Sequence, residues 1–115
     1  IYNTNALVLG FTFKENCPDI RNTKVLDLIN GLEDLGAKIS VFDPIASEVD
    51  AKELYKINLK NDLCFEKKFH AIIFAVEHKK IKDLTYKQIQ KLMIKNGFIY
   101  DVKNTFENNI INANL

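Results

Sequence analysis

The side chains able to do chemistry gather at a few turns of the chain. Gly10-Phe11-Thr12-Phe13-Lys14 follows a short apolar run, and Arg21 stands a little further on, just before a helical pattern. Arg21 is the lone arginine of the chain. A guanidinium makes paired hydrogen bonds to a phosphate or carboxylate, whereas an ammonium acts as a point charge. Lys14, Arg21 and the free amides near Thr23 can therefore frame an anion. The plainer reading leaves Lys14 solvated and pairs Arg21 with Asp19 or Glu15, and both readings stand. Lys103, two residues past Asp101, is likewise either solvated or aimed at an anion. Cys17 would need a base or a strong positive field to become a nucleophile, and no histidine lies near it in sequence. We read Cys17 and Cys64 as structural or incidental thiols. Asp43-Pro44 reads as a turn or cap, although an acid there sometimes binds a ribose. His78 reads as a satisfied surface or loop histidine rather than a general base, and Lys79, Lys80 and Lys82 as a wet face.

These positions matter because of the elements that carry them. Ala6 to Gly10 suits a strand buried on both faces. Val25, Leu26, Leu28, Ile29, Leu32 and Leu35 recur at helical spacing, with Asn22 or Thr23 as cap and Gly36 as terminator. Gly31 inside that helix suggests close packing against a sheet. Lys38 to Phe42 reads as a strand, Ser47 to Tyr55 as a weak helix, and Ile57 to Leu63 as holding a short strand. Ala71 to Val76 is the strongest buried-strand signal. Thr85 to Met93 reads as a helix capped by Thr85 and ended by Gly97, before a last strand over Phe98 to Val102. This alternation predicts an α/β, Rossmann-like three-layer domain with a mostly parallel sheet and right-handed crossovers. Ligands of such sheets bind beyond the carboxyl ends of the strands, which is where Lys14, Arg21, Asp43, His78 and Lys103 fall.

Composition narrows the function classes. The chain has 115 residues, 47% of them apolar and 27% charged, with 16 basic and 15 acidic side chains for a net charge of +1. That balance argues against a general nucleic-acid binder, and the apolar content against disorder. No apolar run approaches the roughly 18 residues of a membrane span, and no signal segment opens the chain. Two cysteines make neither a disulfide scaffold nor a zinc site, so no metal is expected and a cytoplasmic location is. The four glycines never form Gly-x-Gly, so the dinucleotide fingerprint is missing. A signalling receiver domain would need acidic residues after the first strand, where this chain has aromatic residues and a lysine. We expect one domain over residues 1–115, ordered over roughly 5–106, with an asparagine-rich tail at 107–115 that frays. Ile1 at the start, with Met93 as the only methionine, suggests a domain cut from a longer protein.

The segment 10–24, GFTFKENCPDIRNTK, closely resembles the signature of the C-terminal, UDP-binding domain of the UDP-glucose/GDP-mannose dehydrogenase family. Within that family it is most like the branch that oxidises UDP-N-acetylglucosamine or UDP-N-acetylgalactosamine for surface polysaccharides such as capsule or O-antigen. Phe42-Asp43-Pro44, Ala75-Val76-Glu77-His78 and Phe98 to Lys103 agree in order, so the resemblance runs from Leu7 to about Phe106. It implies a bacterial NAD-dependent UDP-sugar 6-dehydrogenase with a separate N-terminal NAD-binding domain, a central dimerisation region and a homodimeric or larger assembly. It implies that Phe13, Lys14 and Lys103 contact the UDP-sugar and that Arg21 reaches NAD. The family chemistry takes the sugar C6 alcohol to a carboxylate by two hydride transfers to NAD, through a cysteine-bound intermediate. That cysteine belongs to an upstream motif matched by neither Cys17 nor Cys64, so no catalytic residue is expected here and the isolated chain should be inactive. The alternative is a stand-alone α/β nucleotide-binding or signalling module.

Overall fold

Apolar runs without alternation form the inner strands, because a parallel strand covered on both sides has no face left for polar groups. The computed structural model describes residues 3–21 and 23–102. It contains one five-stranded sheet of β1 (Asn5–Leu9), β2 (Lys38–Phe42), β3 (Leu59–Lys60), β4 (Phe69–Phe74) and β5 (Met93–Asp101), in the order β3-β2-β1-β4-β5. Every pairing in it is parallel, so the α/β expectation holds.

The pleat sends alternate side chains to opposite faces, and each face builds its own core. Val8, Val41 and Ile73 pack with Val25 and Ile29 of α1 (Val25–Asp34) and Ala51 of α2 (Glu48–Tyr55). Leu7, Leu9, Phe42, Ile72, Phe74 and Ile99 pack with Ile81 of α3 (Lys79–Lys82) and Ile89 of α4 (Tyr86–Leu92). The result is three layers. Two helix starts are capped by side chains: the Ser47 hydroxyl accepts from the Asp50 N–H, and Thr85 with Gln88 makes a reciprocal capping box. α1 departs from expectation, because its cap position is Lys24, which makes no side-chain cap bond, and not Thr23.

Two glycines behave differently from expectation. Gly97 does not end α4, which stops at Leu92; it lies inside β5, where the pairing to β4 shifts register. A Cβ on Gly97 would stand 3.1 Å from the His70 carbonyl oxygen, so glycine here serves a close backbone approach at a strand irregularity. Gly31 faces open space, with nothing within 4 Å of a built Cβ, and it does not mediate helix–sheet packing. Gly36, at φ +95°, does close the turn after α1. Lys103, Asn22 and the 107–115 tail lie outside the described residues. No helix among the described residues is long and apolar enough to cross a membrane.

Candidate functional site

The chain runs from β1 outward through β2 to β3, then returns to the other side of β1 for β4 and β5. Strand order therefore reverses between β1 and β4, and the loops leaving their carboxyl ends part there. Gly10, just past β1, sits at φ +98°, and a Cβ on it would come 2.6 Å from the Val76 Cβ. Only glycine allows both that dihedral and that approach.

A cleft of about 350 Å³ opens at this switch point. One wall is Thr12 to Glu15 from the loop after β1, another is Ala75, Val76 and Glu77 after β4, and Lys24 with Val25 closes the α1 side. Phe13 is 54% exposed, so its ring has a free face for a planar ligand. Two lysines, Lys14 and Lys24, and two glutamates, Glu15 and Glu77, are among the residues that line the cleft.

Beneath the cleft lies a buried polar cluster. Asp43 and His78 are 0% and 1% exposed, and Thr12 is 1% exposed. Asp43 Oδ1 accepts from the N–H groups of Ile45 and Ala46, both at 2.9 Å, which is the turn role expected of Asp-Pro. Its Oδ2 accepts from the Phe11 and Thr12 N–H groups at 2.7 and 3.3 Å. His78 Nδ1 accepts from the Asn16 N–H at 2.9 Å, so the network assigns the ring proton to Nε2. That Nε2 lies 2.8 Å from Asp43 Oδ2 and 2.9 Å from Thr12 Oγ1, while the threonine hydroxyl donates to the Lys14 carbonyl at 2.9 Å. Burial alone would raise the Asp43 carboxyl; hydrogen bonds from His78 and from the Phe11 and Ile45 N–H groups outweigh it and hold the group below its ordinary value.

The remainder of the first loop is tied down separately. The Phe13 N–H donates to the Asp19 carbonyl at 2.7 Å, and the Tyr55 hydroxyl donates to the Ile20 carbonyl at 2.9 Å. Thr23 Oγ1 accepts from the Val25 N–H at 3.2 Å at the start of α1.

Among the positions singled out from sequence, Phe13 and Lys14 meet in the cleft. Arg21 is not among the residues lining it. Its side chain is 79% exposed and grips Asp19 with Nε at 3.0 Å and Nη2 at 3.2 Å, the plainer of its two readings. His78 is satisfied, as expected, but buried rather than at the surface. Cys17 and Cys64 are free thiols away from the cleft walls. Among the described residues, no group of His, Cys, Asp or Glu is arranged to hold a metal ion. Lys24 and the joint role of Asp43 and His78 escaped sequence reasoning. The signal lay in their position: Asp43 and His78 each follow a strand that flanks β1.

Residues 7–108 match the family model described as UDP-glucose/GDP-mannose dehydrogenase family, UDP binding domain. The UDP-N-acetyl-D-glucosamine 6-dehydrogenase of Pseudomonas aeruginosa is 39% identical over 98 residues, covering 85% of this chain and 23% of that protein. Protein CapL of Staphylococcus aureus is 36% identical over 106 residues, covering 92% of this chain and 24% of its own length. The crystal structure of NDP-N-acetyl-D-galactosaminuronic acid dehydrogenase from Methanosarcina mazei Go1 superposes with a TM-score of 0.84, over 98% of this chain and 23% of that one. Identity there is 20%, so this likeness speaks for the fold. The chain spans about a quarter of the length of the relatives it matches.

Proposed function

This chain belongs to the UDP-glucose/GDP-mannose dehydrogenase family through its UDP binding domain, and on that premise we propose that it forms the nucleotide-sugar side of a dehydrogenase cleft. The observation that carries the reading is the opening at the β1/β4 switch point, which gathers Phe13, Lys14 and Lys24 around one space. A UDP-sugar offers what those groups recognise. Its diphosphate suits two ammonium groups, and its planar uracil suits an exposed aromatic face. Lys103 is proposed as a further contact to the sugar nucleotide.

The substrate we propose is a UDP-N-acetylhexosamine, oxidised at C6 to the uronic acid as a precursor of surface polysaccharide in the bacterial cytoplasm. The relatives' names support the sugar class. The chain would act as the C-terminal domain of a longer, homodimeric enzyme, with the nucleophilic cysteine and the main NAD site supplied by other domains. NAD is the oxidant in this reading. The described residues do not fit a dinucleotide cradle: fourteen residues, 10–23, separate β1 from Lys24 at the head of α1, where a cradle needs a tight turn. We derive no step through NAD on this chain, and Arg21 is proposed only to reach it from the domain's surface. A stand-alone nucleotide-binding or signalling module has no observation in its favour.

Calorimetric titration with UDP tests the reading. The chain should bind UDP, and Lys14→Ala should weaken binding by about tenfold, or ~1.4 kcal/mol. Equal affinity in both proteins would remove Lys14 from the site, and no binding to the unaltered chain would contradict the proposal.

A further inference from the structure

The cleft-lining loop has little apolar packing of its own to hold it. Phe13, Lys14, Glu15 and Asn16 are all exposed, and Asn16 adopts a left-handed conformation at φ +56°. Its shape is fixed from below by hydrogen bonds. The Thr12 hydroxyl holds the Lys14 carbonyl, Asp43 holds the Phe11 and Thr12 N–H groups, and His78 Nδ1 holds the Asn16 N–H. Asn16 in turn accepts, through Oδ1 at 3.0 Å, from the Lys79 N–H at the start of α3.

His78 is the piece that joins these supports. One ring edge grips Asn16, beyond Lys14, and the other meets Asp43 and Thr12, before Phe13. The two ends of the Phe13-Lys14 segment are thus referred to a single rigid imidazole buried behind the cleft. We infer that His78, through Asp43 and Thr12 on one side and Asn16 on the other, is a positioning residue that sets Phe13 and Lys14 in the geometry that binds the nucleotide diphosphate. This deepens the function proposed above and rests on it for the ligand. His78 itself is buried and does not line the cleft. The accepting edge toward Asn16 carries the positioning, and the donating edge orients the ring on Asp43 and Thr12, which keep their own bonds to the loop backbone.

Two substitutions separate the two edges. In His78→Gln the side-chain amide nitrogen can stand where Nε2 stood, keeping the donor to Asp43 but leaving nothing to accept from Asn16. In His78→Asn the amide oxygen can stand where Nδ1 stood and accept from Asn16. The full chain is titrated with UDP at a temperature where each variant is folded, and amide exchange is followed by NMR. We expect His78→Gln to lose at least about tenfold in UDP affinity and His78→Asn to recover to within about threefold of the unaltered chain. A merely structural histidine would lower the unfolding temperature in both without separating their affinities. The inference is overturned if the two variants bind UDP equally, or if His78→Gln keeps full affinity after its Asn16 amide has lost protection. Should the unaltered chain not bind UDP, the functional reading fails, and exchange alone decides the positioning role. The Asn16 and Phe13 amides must then exchange at least about tenfold faster in His78→Gln, and unchanged rates would overturn it.

Discussion

Asp43 concentrates the electrostatics of this domain in one side chain. Its carboxylate is buried and accepts from four backbone N–H groups and from His78. Because those donors hold its folded-state value below the ordinary 3.8, the folded chain binds fewer protons than the unfolded one in that range. The stabilisation is therefore complete above the unfolded value and drains away as the pH falls toward the folded one. Chemical denaturation across pH should show stability flat in the neutral range with respect to this group and falling below about pH 4. Asp43→Asn should lower stability at pH 7 by roughly 3 kcal/mol, since buried donors lose a charged acceptor, and should shallow the acid slope. An acid slope unchanged in the variant would assign it to other carboxylates. The turn role of Asp43 was legible in the Asp-Pro pair, because that chemistry is local. Its bonds to Phe11, Thr12 and His78 were not legible, because they join residues more than thirty positions apart through a strand order that residue spacing does not state.

Elements were legible where one local signal had one meaning. Lys38 to Phe42, bounded by Gly36 and Asp43-Pro44, forms the strand expected, and Thr85 caps its helix. Glycine signals were ambiguous. A glycine after a helical pattern and a glycine at a strand irregularity look alike in sequence, which is why Gly97 lies in β5 instead of ending α4. Gly31→Ala should stabilise the chain by about 0.5–1 kcal/mol, because an exposed helical site with open space gains from alanine. Gly10→Ala should destabilise it by more than about 2 kcal/mol, because φ +98° strains any side chain and the new Cβ meets Val76. Thermal or urea unfolding of the two variants measures both signs. Equal effects would mean that the contact between the β1 and β4 loops is looser than described.

For the molecule as a whole, alternation of strand and helix patterns was enough to foresee a parallel sheet with covering helices. A near-neutral net charge of +1 does not decide anion binding, which depends on how Lys14 and Lys24 are set against Glu15 and Glu77 at one cleft. Which face each helix covers, and which loops meet, depended on the reversal of strand order between β1 and β4. That reversal is what turns three separated segments, 12–15, 24–25 and 75–77, into one cleft. A two-dimensional amide NMR titration of the chain with UDP tests the nucleotide site most directly. A UDP site at the switch point gives saturable shifts centred on Phe13, Lys14, Lys24 and Val76. Saturable shifts confined to another surface, or none at all, would contradict it.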